Sequence, residues 1–260
     1  MIFDCQVEPL TELDNLHKVK RQSILIEGPS GCGKSYLANQ YANMLNISDI
    51  IVVQPKVADI REAIDSSTQL QTDVVLVIEN LDLGVAAAAY TLLKTLEEPL
   101  PHVYIIITAR NVKFIPDTII SRSAVVTANA PLLRDIDNYA KHKDEIKYEQ
   151  IKDRLVWKCA RSFADADKIL QMTADQINYY ESLAEICTFN DSVSNIIWTI
   201  GHYPNNEPCD LELAIRSIME LMHNSFVTRC GIECLRDLSS NRIAQHAVLA
   251  RFIFNAKYCE

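Results

Sequence analysis

At 260 residues, 48% hydrophobic and 23% charged, the chain can bury a sizeable core and holds one large domain or two to three small ones. Its net charge of −9 speaks against a free-standing nucleic-acid binder, because phosphate contact needs a cationic surface. No apolar run approaches the roughly 20 residues of a membrane span, and the first residues do not read as a secretory signal.

Residues 1–22 carry a weak helical pattern at Leu10, Leu13, Leu16 and Val19, which ends in a basic Lys18-Val19-Lys20-Arg21. Ile24-Leu25-Ile26 reads as a strand and leads into Gly28-Pro29-Ser30-Gly31-Cys32-Gly33-Lys34-Ser35. That octapeptide is G-x-x-x-x-G-K-S, a P-loop. Leu37, Ala38, Tyr41, Ala42 and Leu45 follow at helical spacing, so the motif has its strand before it and its helix after it. Glycine at 31 and 33 lets the backbone approach phosphate oxygens closely, and the N–H groups of a helix start favour negative charge. Lys34 then offers a cation to the β- and γ-phosphates, and the Ser35 hydroxyl offers a ligand to Mg²⁺. Gly28, Ser30, Gly31, Cys32, Gly33, Lys34 and Ser35 are thus the expected ATP-binding residues, with Ser35 also on the metal.

Farther along, apolar runs alternate with helical stretches. Ile50–Val53, Val74–Ile78, Val103–Ile107 and Ala124–Val126 read as strands; Val57–Ser66, Val85–Glu97 and a short turn through Ile119-Ile120 read as helices. Strands apolar on both faces and separated by helices describe a parallel sheet covered on both sides. From Pro131 the strand-like runs stop, and helical periods take over at 132–146, 148–161, 164–172, 174–187, 211–226 and 243–254. The expected organisation is an α/β nucleotide-binding domain over 1–130, a helical region over 131–187, and a further helical region over 188–260. A turn-rich stretch, Gly201–Pro208, lies within the last. The eight cysteines include no C-x-x-C pair and read as reduced thiols of a cytoplasmic protein. Cys230 and Cys234, four apart with His223 upstream, could also hold a metal, though buried thiols are the commoner use.

A second set of residues carries more information than the P-loop alone. The run Val74–Ile78 ends in Glu79-Asn80-Leu81-Asp82, where an ATPase places a metal-holding acid and then a general base. Then come Leu92-Leu93-Lys94-Thr95-Leu96-Glu97-Glu98-Pro99 and Ile115-Pro116-Asp117-Thr118-Ile119-Ile120-Ser121-Arg122-Ser123. P-loop, acidic strand end, L-L-K-x-L-E-E-P and a Ser-Arg-Cys-type motif, in this order and spacing, closely resemble the sliding-clamp loader subunits of the AAA+ superfamily. These include the bacterial DNA polymerase III tau/gamma and delta-prime chains and eukaryotic replication factor C. The resemblance covers about residues 24–127.

It implies an AAA+ fold with a helical lid over 131–187 and a reduced, collar-like oligomerisation region over 188–260. It also implies the cofactors ATP and Mg²⁺, and as partners other loader subunits, the sliding clamp and primer–template DNA. Glu79 falls on the metal-acid position and Asn80 on the catalytic glutamate, which it does not match, so turnover is expected to belong to the assembled complex. Arg122 falls on the arginine finger that reaches a neighbouring subunit's ATP site; read alone, it could be a local ion-pair partner. Arg110 falls on the sensor-1 position, and Arg161 is the nearest candidate for the lid's sensor-2 arginine. Lys94 reads equally as a solvated lysine or a DNA-facing one. The function implied is that of a delta-prime-like loader subunit; the alternatives are a self-assembling AAA+ motor and a helicase-loader or adaptor that keeps a nucleotide bound.

Overall fold

The computed structural model describes residues 3–70, 72–188, 210–222 and 225–240, with 248, 251–253 and 255. The chain forms two compact units, Met1–Tyr139 with Ser162–Ala164, and Ala140–Arg161 with Asp165–Glu260.

In the first unit the five apolar runs are the five strands: β1 (Ser23–Glu27), β2 (Asp49–Val53), β3 (Val74–Ile78), β4 (Val103–Ala109) and β5 (Ala124–Thr127). They form one parallel sheet in the order β2-β3-β4-β1-β5. β3 and β4 are buried along their whole length, so their neighbouring residues serve opposite faces of the sheet. On one face Leu25, Leu76, Ile78, Ile105 and Ile107 share a core with α3 (Val57–Gln69) and α4 (Ala86–Glu97). On the other, Ile24, Ile26, Val75, Val77 and Ile106 share one with α1 (Asp4–Lys18) and α2 (Lys34–Met44). A four-residue helix, α5 (Asp117–Ile120), precedes β5.

This topology decides where a ligand can sit. The chain leaves β1 and crosses β4 and β3 to reach β2, while β5 pairs with the other side of β1. Beside such a reversal the strand ends open a crevice at their carboxyl edge. Glu27 pairs in register with Ala109, and Ile78 with Ile107, so Gly28, Glu79 and Arg110 all emerge at that edge. Arg21 and Arg122 precede β1 and β5 and therefore lie at the opposite edge.

The second unit is helical throughout its described residues. It takes in the end of α6 (Leu133–Lys143), then α7 (Glu145–Ile151), α8 (Leu155–Lys158), most of α9 (Phe163–Gln171), α10 (Ala174–Thr188), and the helices Leu211–Met222 and Ser225–Ser240. The helices expected over 132–146 and 148–161 are interrupted. Asp144 adopts φ −154°, and its carboxylate caps α7 by accepting from Lys147 N at 2.9 Å. Arg154 is extended at φ −74° and ψ 149°, which separates α7 from α8. Its guanidinium forks onto Glu181 at 2.7 and 2.6 Å, and Glu181 also accepts from Leu155 N at 3.1 Å. A partner from α10 thus offsets the helical propensity of the run. The turn-rich stretch 201–208, most of the expected helix 243–254 and the residues next to the expected boundary at 188 lie outside the described residues. Cys230 and Cys234 are buried.

Candidate nucleotide site

The P-loop runs from the end of β1 into α2, and its backbone has the conformation that its glycines permit. Gly31 has φ +72° and Gly33, the N-cap of α2, φ +99°. Lys34 is buried, and its ammonium donates to the carbonyls of Gly28 and Pro29 at 2.8 Å each. Burial, aided by the nearby Arg110 guanidinium, pushes its pKa below the usual lysine range. A cation held only by neutral carbonyls has its strongest remaining interaction still to make, with an anion.

At the end of β3 the metal-side pair is present. Ser35 Oγ donates to Glu79 Oε1 at 3.1 Å, and Gln54 Nε2 donates to Glu79 Oε2 at 3.4 Å. A hydroxyl and a carboxylate at this separation suit a hydrated Mg²⁺, which takes one or two carboxylates and keeps several waters. Asn80 stands at φ +48°, ψ 53°, a left-handed conformation that asparagine tolerates better than most residues, and its N–H donates to Thr108 Oγ1 at 2.9 Å. Asp82 does not point freely into solvent: its Oδ1 accepts from Arg110 N at 3.0 Å and holds the turn after β4. The loop glycines, Lys34, Ser35 and Glu79 therefore fit a magnesium–nucleotide triphosphate.

Arg122 is elsewhere. Its guanidinium donates to Glu97 Oε1 at 2.7 Å and to Thr118 O at 2.8 Å, and Arg21 donates to its carbonyl at 3.1 Å. The ion pair accounts for an acid at the C-terminal end of α4, where the helix dipole disfavours one. From the P-loop, Arg122 is a full strand away, about 17 Å for five residues. It cannot serve its own P-loop. Lys94, one turn before Glu97, is exposed.

Residues 49–132, which run from β2 past Arg122, match the family model described as DNA polymerase III, delta subunit. That segment carries β2 to β5 together with Glu79 and Arg122, and it is what the chain shares with that family. Among solved structures the chain is similar to a DNA polymerase III gamma subunit-related protein from Thermotoga maritima, with a TM-score of 0.61 and 18% identity, over 94% of this chain and 98% of that one. The Thermotoga maritima RuvB Holliday junction branch migration motor shares the fold at a TM-score of 0.54 and 12% identity, over 96% of this chain and 86% of that one. No curated protein matches the sequence.

Several residues of this site were not legible as motifs. Glu27 Oε1 accepts from Thr127 Oγ1 at 3.3 Å and Oε2 from Val112 N at 3.4 Å, so one carboxylate ties β5 and the turn after β4 to the start of the P-loop. Thr108 and Gln54 belong to the same edge. Ser162, Phe163 and Ala164 sit on the P-loop itself, where Phe163 N donates to Gly31 O at 3.1 Å. The arginine nearest to this segment, Arg161, donates to the carbonyls of Lys158 and Ala160 and lies 3.7 Å from Glu220, so its partners are in the second unit. A Cβ on Gly31 would meet Ser162 Oγ at 2.6 Å and Ala164 Cβ at 2.9 Å. Gly31→Ala is accordingly expected to lower stability by about 1–2 kcal/mol, from the left-handed conformation alone, and by more with the clash. Urea unfolding measures it; an unchanged midpoint would mean that the loop relaxes freely.

Proposed function

We propose that the chain is a clamp-loader subunit of the delta-prime kind, which binds ATP and donates Arg122 to a neighbouring subunit. The observation that carries this reading is the placement of the nucleotide site and Arg122 at opposite edges of one sheet. Such a chain can hold its own nucleotide at one edge and offer a cation to a second chain's nucleotide at the other. In its own site, Gly31, Gly33 and Lys34 hold the phosphates, and Ser35 with Glu79 holds Mg²⁺. A Mg²⁺ held by these two residues would supply positive charge against the charge that develops on the phosphates. Asn80 has no carboxylate with which to take a proton from water, so hydrolysis in this site is slow. Arg110, beside Lys34 and Asp82, senses the γ-phosphate. Residues 1–130 act as the nucleotide-binding domain, 131–187 as a lid and 188–260 as a collar that holds other loader subunits. In a cytoplasmic assembly, ATP-bound subunits grip an open sliding clamp and primer–template DNA, and hydrolysis releases the clamp closed around DNA.

The direct test is titration of the purified chain with ATP and Mg²⁺, followed by phosphate release. Binding with turnover well below about 1 s⁻¹ is the expected result. Lys34→Ala should weaken binding by about two orders of magnitude, the worth of a buried hydrogen bond to a charged group. Turnover at or above that rate by the chain alone would overturn the reading in favour of a self-assembling motor.

A further inference from the structure

β1 and β5 pair from Ile24 and Ala124 onward, and side-chain contacts extend that pairing back toward the edge away from the P-loop. Ser23 opens β1 and Ser123 precedes β5; both are buried, and their hydroxyls share a hydrogen bond at 2.8 Å. One residue before Ser123, the Arg122 carbonyl accepts from the Arg21 guanidinium at 3.1 Å. The main chain of Arg21 is itself held on both sides. Its N–H donates to Leu16 O at 3.0 Å, and the N–H of Lys20, at φ +48°, donates to His17 O at 2.8 Å; the two bonds close the end of α1. Its carbonyl accepts from Tyr41 Oη at 2.8 Å, and Tyr41 is a fully buried residue of α2.

Arg21 is an exposed residue, yet among the described residues its guanidinium meets a main-chain carbonyl and no carboxylate. A hydrogen bond from a charged donor is shorter and stronger than one between neutral groups, so it fixes the direction of that carbonyl. The carbonyl belongs to the residue whose aim matters. A long side chain magnifies at its tip any rotation of its own main chain, and misplacing a catalytic group by about 1 Å can cost about 10²-fold in rate. Within this chain the Arg122 guanidinium is held by Glu97 Oε1 at 2.7 Å and Thr118 O at 2.8 Å. A neighbour's phosphates would draw it away from both. What then aims the side chain is the backbone of residue 122, and Arg21 holds that backbone from a mount fixed to α1 and α2.

We infer that Arg21 is a positioning residue for Arg122: it fixes the backbone from which that side chain reaches a neighbouring subunit's nucleotide. This rests on Arg122 being the arginine donated in trans, and the test separates the two claims. The complex, with primer–template DNA and clamp, is reconstituted with the wild-type chain, Arg21→Met, Arg122→Ala and the double variant. Methionine keeps much of the side chain's length and has no donor. Entry of each variant into the complex is checked by size-exclusion chromatography. Arg21→Met is expected to lower kcat for ATP hydrolysis on the order of tenfold or more and to leave KM within about twofold. Added to Arg122→Ala it should cost nothing further, because no finger is left to aim. Unchanged hydrolysis by Arg21→Met, beside a slowed Arg122→Ala, overturns the inference and leaves the finger standing. A further loss in the double variant also overturns it, since Arg21 would then act on the neighbour or its nucleotide directly. So does exclusion of Arg21→Met from the complex, which would make Arg21 an interface residue. Unchanged hydrolysis by Arg122→Ala would overturn the finger itself, and this inference with it.

Discussion

Arg122→Ala should leave this chain's affinity for its own ATP unchanged and slow ATP hydrolysis by the assembly it joins by on the order of 10³-fold, the usual worth of an arginine finger supplied in trans. The asymmetry follows from the sheet. Arg122 precedes β5 at the edge away from the P-loop, so its loss cannot disturb the pairing of Ser35 with Glu79 at 3.1 Å. The pair that Arg122 makes with Glu97 is half exposed, at 34% and 51% of the two side chains, and such pairs are worth about 1 kcal/mol or less. Engagement by a neighbour's phosphates can therefore displace Glu97 easily, and truncation should barely move the melting temperature. Steady-state hydrolysis by the reconstituted complex, with primer–template DNA and clamp, is the measurement. The loss should fall on kcat, since a finger stabilises the transition state more than the bound nucleotide. Unchanged DNA-stimulated hydrolysis would leave Arg122 as nothing more than the partner of Glu97.

The second large effect is a gain. Asn80→Glu should raise hydrolysis in this chain's own site by about 10²-fold, the lower end of what general-base catalysis contributes. The metal-side pair is already assembled, so the substitution adds the one missing group. There is a structural cost. Asn80 has φ +48°, and a glutamate there is strained by about 1–2 kcal/mol, against which stands the hydrogen bond from its N–H to Thr108 Oγ1. The variant should thus be faster and slightly less stable at once. Single-turnover phosphate release gives the rate and urea unfolding the stability; ATP affinity should stay within a few-fold. A stable variant with no gain would show that the barrier in this site is not the missing carboxylate.

How much of this was readable beforehand depended on the range of the interaction. Val74–Ile78 reads as a strand because five adjacent apolar residues suit a sheet covered on both faces, and it is buried from end to end. Gly28–Ser35 reads as a phosphate loop because strand, glycines and helix are consecutive in the chain. Helix interruptions were less legible. The run 148–161 has helical spacing, yet Arg154 breaks it to meet Glu181, a residue 27 positions away that no local pattern could indicate.

The sequence alone therefore determined the strands, the P-loop and the order of motifs, because backbone propensity, hydrophobic periodicity and glycine chemistry act over a few neighbouring residues. Tertiary structure alone decided which of those motifs meet. Strand order and register bring Glu79 to Ser35, carry Arg122 to the far edge beside Glu97, and leave Asn80 in a left-handed turn. The packing of α1 sets Gln6 against Gly33, close enough that a Cβ there would have to push the amide aside. These juxtapositions come from burying both faces of one sheet. That burial is a property of the whole chain, and no short segment encodes it.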